Sequence, residues 1–241
     1  MPPRPHRGDM TTSLITGANK GIGFETARQL IAAGHTVWLG SRDPERGREA
    51  AESLGARALV IDVSDDASVA AAFRTVEEAG TGLDVLVNNA GIEPRAEDGG
   101  PLAALDASAD RLRTVFETNV LGPLRVTQAF LPLLRRSASA AVVNLSSGLG
   151  SLAAGGGAPY YPSVEYPVSK TALNMLTVKL AQALPGIRVT AVDPGFTKTD
   201  LNHHAGTQTV EEGAAAPVRE ALAGNEGESG TFVSAEGPVA W

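Results

Sequence analysis

The segment from Thr12 to Ile31 constrains this chain more than any other. Thr12-Ser-Leu-Ile-Thr16 is short, apolar and rich in β-branched residues, as a buried strand requires. It runs directly into Thr16-Gly-Ala-Asn-Lys-Gly-Ile-Gly23, and apolar residues then recur at Phe24, Ala27, Leu30 and Ile31. That helical spacing stops at Gly34. Strand, glycine-rich turn and helix in this order gather amides and the positive end of a helix dipole where the strand ends. Negative charge is favoured there. Gly17 permits the tight turn, while Gly21 and Gly23 let a pyrophosphate approach the helix start. With Asn19, Lys20 and Ile22 between them, these glycines are the first candidate dinucleotide-binding residues. Their spacing, Gly-x3-Gly-x-Gly, differs from the G-x-G-x-x-G of the larger dehydrogenases.

The same alternation continues. Strands are predicted at Thr36–Leu39, Arg57–Ile61, Leu83–Val87, Ala141–Leu145, Ile187–Val192 and Gly230–Val233. Helices are predicted from Asp43-Pro44 to about Leu54, Asp65 to Glu78, Ala107 to Arg135 with a kink at Gly122-Pro123, through Tyr166 to Leu184, and Pro217 to Ala223. Strands that alternate with helices predict an α/β fold: a Rossmann-like, doubly wound parallel sheet of about seven strands with helices on both faces. The 241 residues read as one domain over 11–241, after a frayed tail at 1–10 in which Met10 is an alternative start.

Composition narrows the function. The chain has no cysteine, so disulfides and thiolate chemistry are excluded. Its net charge of -7 is made of interspersed residues, which gives no nucleic-acid footprint. No apolar run reaches membrane-spanning length, and the first residues lack a secretory core. A soluble cytoplasmic protein that acts on a small molecule is expected. His203 and His204 have no further ligand at metal spacing and read as a solvated pair, so no metal site is expected.

The second strand ends in Gly40-Ser41-Arg42-Asp43. A carboxylate here selects NAD by bonding the ribose 2′-hydroxyl. Asp43-Pro44, however, has the form of a helix cap. Ser41, Arg42 and Lys20 then favour a 2′-phosphate, hence NADP(H) over NAD(H). Asp62-Val63 ends the third strand, as an adenine contact or, for Asp62, a helix cap. Asn88-Asn89-Ala90-Gly91 closes the fourth strand and suits backbone approach to a ligand.

Downstream, Ser146-Ser147 follows the fifth strand, and Tyr166-Pro-Val-Ser-Lys170 opens a helix. Positions i and i+4 share a helix face, so Tyr166 and Lys170 point the same way. A nearby ammonium favours the phenolate and would draw the tyrosine down from its usual value of about 10. A serine hydroxyl could then hold a substrate oxygen while the tyrosine moves a proton.

Taken in order, Thr16-Gly-x3-Gly-Ile-Gly23, Asp62, Asn88-Asn-Ala-Gly91, Asn119, Ser147, Tyr166-x3-Lys170 and Pro194-Gly195 resemble the short-chain dehydrogenase/reductases, closest in wording to their NADPH-dependent carbonyl reductases. The likeness runs from about Thr11 to Asp200. It implies that Tyr166 is the general acid in carbonyl reduction and that Lys170 lowers its pKa and holds the nicotinamide ribose. It implies that Ser147, rather than Ser146, binds the substrate oxygen, and that Asn119 sits at a helix distortion and holds a relay water. Asn119 as a core-satisfied amide is the alternative. Asn89, Ala90 and Gly91 would line the cofactor, Pro194, Gly195, Thr197 and Thr199 would bind its carboxamide or phosphates, and about 196–215 would form a substrate lid.

Two departures stand out. The gap from Ser147 to Tyr166 is several residues longer than is usual, and the surplus falls in Gly155-Gly-Gly-Ala-Pro-Tyr-Tyr-Pro162. Tyr160 and Tyr161 there are read as surface-loop tyrosines or pocket walls. Some monomeric carbonyl reductases carry a longer insertion here, so monomer, homodimer and homotetramer all stay open. The carboxyl end also lacks the close of many tetrameric members, and Trp241 is read as packing on the domain. Rival readings are a ketoreductase of carrier-bound intermediates and a non-catalytic NADP(H) sensor. An enoyl reductase is excluded by Leu173, where its wider spacing needs lysine.

Overall fold

A computed structural model describes residues 10–154 and 161–241. The expectations for the tail at 1–9 and for 155–160, Tyr160 included, lie outside the described residues. The strands are β1 (Thr12–Ile15), β2 (Thr36–Ser41), β3 (Arg57–Val60), β4 (Val85–Asn88), β5 (Ala141–Leu145), β6 (Arg188–Val192), β7 (Thr231–Ser234) and β8 (Gly237–Pro238). They form one sheet in the order β3-β2-β1-β4-β5-β6-β7-β8. Every pairing is parallel except β7 with β8. The sheet therefore has one strand more than expected. β8 is two residues long, too short to show a period, and is reached by a turn over 235–236, with its own first residue Gly237 at a φ of 126°.

Alternate side chains of the strands feed two separate cores, which is why the strands read as unbroken apolar runs. Leu14, Leu86 and Val142 join Val69, Val126 and Phe130 on one face. Ile15, Val87 and Val143 join Ala27, Leu30 and Ala214 on the other. The first face is covered by α3 (Asp66–Glu78), α5 (Gly122–Leu134) and α6 (Glu165–Ala183). The second is covered by α1 (Gly21–Ala32), α2 (Pro44–Leu54) and α7 (Val210–Leu222).

Two predicted helices needed correction. The stretch from Ala107 to Arg135 divides into α4 (Ala109–Phe116), a π-helical turn over Glu117–Leu121, and α5. Pro123 has no N–H for the Asn119 carbonyl four residues back, so the turn widens and Gly122 N–H reaches Glu117 O instead. The distortion thus precedes Gly122-Pro123 and centres on Asn119. α7 begins seven residues before Pro217, at a capping box in which Thr209 and Glu212 satisfy each other's backbone. Among the described residues, no helix is long and apolar enough to cross a membrane.

Candidate active site

The chain leaves β1 toward β2 on one side, while β4 lies on the other, so a crevice opens at the carboxyl ends of these strands. A cleft of about 1140 Å³ occupies it. That exceeds the roughly 300–1,000 Å³ of a site for one drug-sized molecule.

One half of the cleft is the glycine loop and its surroundings. Gly17 has a φ of 63°, and a Cβ on it would lie 2.9 Å from Ala90 Cα, so no other residue fits. Gly23 lines the cleft too, but its missing side chain chiefly makes room for Asn89. The Asn89 amide donates to Thr16 O at 2.8 Å and Gly17 O at 3.0 Å, which locks the loop to the end of β4. The first turn of α1 has neither a capping side chain nor an acidic residue. Its first residues, Gly21, Ile22 and Gly23, line the cleft with their amides uncapped by a side chain, and they fit a dinucleotide diphosphate.

Asn19, Ile22, Val63, Ala90 and Gly91 also line this half. Arg42 faces it, whereas Asp43 is spent on capping α2 through Glu45 N and Arg46 N. Asp62 is not a cap. Asp65 caps α3, and Asp62 accepts from the Ser64 amide and hydroxyl beside the cleft. The structure does not bring Ser41 into the cleft. Its side chain is buried, and its hydroxyl donates to Asp43 O at 2.9 Å, where it stabilises the entry to α2. Lys20 is in the cleft but already paired, with Asp200 Oδ2 at 2.5 Å.

Pro194, Gly195, Thr197 and Thr199 form the wall opposite the glycine loop. Thr199 Cγ2 lies 3.6 Å from where a Cβ on Gly21 would stand, so this segment crosses onto the loop. Asp200 holds it there, bound to Lys20 on one oxygen and to His204 Nε2 at 2.9 Å on the other.

The other half of the cleft gathers Ser147, Tyr166 and Lys170. Adjacent residues past β5 face opposite ways, which separates the two serines. Ser146 is buried and donates to Asn174 Oδ1 at 2.5 Å. Ser147 lines the cleft with Tyr166, and its Oγ accepts from Leu149 N at 3.2 Å. Lys170 Nζ stands 5.4 Å from the Tyr166 ring centroid and donates to Leu145 O at 2.7 Å. Burial dominates both groups. It raises the Tyr166 phenol above its ordinary value, aided by the charges of Glu93 and Asp193 and opposed by the nearby Ser147 hydroxyl and Arg95. It pushes Lys170 down to about 8 against the pull of Glu93. The expected lowering of Tyr166 by Lys170 is thus reversed: desolvation outweighs an ammonium that is directed at a backbone carbonyl.

Asn119 is not in the cleft. Its Oδ1 accepts from Ile92 N at 2.9 Å, and its Nδ2 donates to Ile92 O and to Ser169 Oγ at 3.0 Å. Ser169 in turn donates to Tyr166 O at 2.7 Å. The side chain ties the end of β4 to the first turn of α6, at the helix distortion expected for this residue.

A family model described as short chain dehydrogenase matches residues 11–209. The chain belongs to the short-chain dehydrogenase family. It is 40% identical over 233 residues to a short-chain dehydrogenase, anuI, of Penicillium roqueforti (strain FM164), covering 88% of each chain. It is 35% identical over 281 residues to a (+)-neomenthol dehydrogenase of Arabidopsis thaliana, covering 92% of this chain and 95% of that one. Among solved structures it superimposes on an NADPH-bound carbonyl reductase from chicken fatty liver with a TM-score of 0.83 and 32% identity, covering 96% of this chain and 99% of that one.

Several residues of this dehydrogenase's cleft were not singled out in the sequence. Glu93, Arg95 and Asp193 all line it and act on the charge of Tyr166. Tyr161 lines it as well, so it is a wall of the pocket and not a surface-loop residue. The only signal in the sequence was position: Glu93 and Arg95 follow Asn88-Asn-Ala-Gly91, and Asp193 precedes Pro194-Gly195.

Proposed function

We propose that this short-chain dehydrogenase transfers hydride between NADP(H) and a carbonyl/alcohol substrate, with Tyr166 as general acid and base. One observation carries the reading: Ser147, Tyr166 and Lys170 converge in the same cleft that the glycine loop opens. When bound, the nicotinamide supplies the hydride, and the protein supplies orientation and proton placement. The Ser147 hydroxyl holds the substrate oxygen beside Tyr166. Because burial keeps the phenol protonated at neutral pH, Tyr166 is poised to give its proton to the oxygen of a carbonyl as it becomes an alkoxide. Lys170 contributes positive charge from beneath and reaches the ribose side of the cleft. Asn119 positions the first turn of α6 through Ser169.

The preference for NADP(H) rests on Arg42, the cleft-facing cation at the end of β2, and on Asp43 being committed to its cap. Ser41 takes no part in it, and Lys20 contributes only when Asp200 releases it. Residues 196–215 act as the substrate lid, hinged near Gly195. The test is consumption of NADPH and NADH with a panel of aldehydes, ketones and quinones, for the wild type and Tyr166→Phe side by side. NADPH-linked turnover that falls by about a thousand-fold or more in the variant supports the reading. Tight NADPH binding with no turnover on any carbonyl would favour a sensor.

A further inference from the structure

The loop after β4 carries a charge arrangement that borders Tyr166 and Lys170 but neither gives nor takes the proton. Glu93 is set with its side chain 3% exposed, paired through Oε2 with Arg95 Nη2. Its other oxygen, Oε1, is buried with no hydrogen-bond partner, and so are Arg95 Nε and the Tyr161 hydroxyl. All three residues line the cleft beside Tyr166 and Lys170. Burying a carboxylate oxygen without a partner is costly, so such a group persists where something else satisfies it. The loop is built to hold it. Arg95 bridges to Pro101, and Ala96 N–H donates to Gly100 O at 2.9 Å. Ile92, next in the chain, is clamped on both backbone groups by Asn119.

The chemistry of the cluster restricts what it can take. A carboxylate oxygen accepts a hydrogen bond and repels an ether or carbonyl oxygen. A cationic substrate group would meet Lys170 and Arg95, the two cations already facing Glu93. What remains is a neutral donor. We propose that Glu93 is a specificity-determining residue whose Oε1 accepts a hydrogen bond from a hydroxyl on the substrate, so that hydroxylated ketones and aldehydes are preferred. This rests on the carbonyl-reductase reading. The Tyr161 hydroxyl and Arg95 Nε, the other two buried atoms without a partner, are the donors that a further oxygen of the same molecule would meet on reaching the cluster.

The test uses matched ketones that differ only in bearing hydrogen, hydroxyl or methoxyl near the carbonyl, such as cyclohexanone and its 2-hydroxy and 2-methoxy derivatives. Glu93→Gln keeps the size, and its amide oxygen still serves Arg95, which turns the NH2 toward the cleft. Wild type should favour the hydroxyl compound over the methoxyl one by about ten-fold or more in kcat/KM. In Glu93→Gln that ratio should fall to near unity or invert, over and above any change common to all three ketones from the loss of a charge beside Tyr166 and Lys170. Tyr161→Phe, which leaves the ion pair intact, should lose a smaller part of the same preference. An equal fall on all three ketones, with a displaced pH profile, would overturn the proposal in favour of an electrostatic effect on Tyr166 and Lys170. Absence of a hydroxyl preference in the wild type would also overturn it. Failure of the reductase reading itself is distinct: the wild type would then consume no NADPH with any member of the set, which overturns both.

Discussion

Lys170 shows what the site costs at the scale of one residue. Its ammonium is buried, which lowers its pKa from 10.5 to about 8. Below pH 8 both folded and unfolded chains carry the proton, and the burial penalty is present in full. As the pH rises from about 8 to 10.5 the folded chain sheds the proton first, so the penalty is progressively relieved. Lys170→Met should therefore be more stable than wild type at pH 7, by about 1–2 kcal/mol after the lost bond to Leu145 O is allowed for. That margin should shrink by pH 10, and urea denaturation at the two values measures it. The same variant should lose its turnover, because a group kept at such cost is kept for charge. Tyr166 illustrates the opposite sign: burial stabilises its neutral form, which suits a proton donor.

Between elements, buried polar pairs fix how the strands that carry the site meet their helices. Asn88 at the end of β4 donates to Asn144 of β5 at 2.9 Å, and Asn144 donates to Thr177 of α6 at 2.9 Å. The ladder sets β4, β5 and α6 in register, and these elements deliver Asn89, Ser147 and Tyr166. β6 is tied to α7 more strongly. Arg188 donates to Glu220 Oε2 at 2.6 Å, to Glu220 O at 2.6 Å and to Gly224 O at 2.8 Å, with 5% of its side chain exposed. Arg188→Met removes the donor of Glu220 Oε2 and of two backbone carbonyls, while Glu220 Oε1 keeps Arg219 Nε at 2.9 Å, and should cost about 2–4 kcal/mol. Thermal unfolding would register that loss, while loss below about 1 kcal/mol would show that the pair is dispensable. The buried glycine-loop contact of Gly17 with Ala90 and the π turn at Glu117–Leu121 belong to this scale too. Both were legible as motifs, but the partner of each came from elsewhere in the chain.

Across the whole molecule, the carboxyl-terminal residues close one side of the substrate half of the cleft. The Trp241 ring stacks on Phe232 with centroids 5.5 Å apart, as the packing role expected of it requires. Ala153 N–H donates to Trp241 O at 2.8 Å, and Ser151 donates to Ala240 O at 2.8 Å. These bonds seat the segment after Ser147 against the tail, and Val239 itself lines the cleft. On the proposed reductase function, removing residues 239–241 should raise KM for the carbonyl substrate by about ten-fold, since one wall and the anchor of another go together. The NADPH dissociation constant should stay within about two-fold, because the glycine loop and Arg42 lie at the far end. Fluorescence titration of NADPH beside steady-state kinetics separates the two effects.

The sequence by itself determined the layered α/β fold, the glycine loop, and the presence of Tyr166 and Lys170 on one helix face. Each of these depends on local spacing, on periods of two or 3.6 residues and on turn chemistry, which neighbours in the chain settle among themselves. That Ser146 and Ser147 face opposite ways followed from the alternation along an extended strand end, while the choice of Ser147 for the cleft came from the family resemblance. Only the tertiary structure decided that Ser41 turns inward, that Lys20 is engaged by Asp200, and that Asn119 works through Ser169. It also decided that the Tyr166 pKa moves up and that Glu93, Arg95 and Tyr161 share the pocket. These outcomes depend on burial and on pairings between residues far apart in the chain. Desolvation and charge act through space, and a linear pattern carries no measure of either.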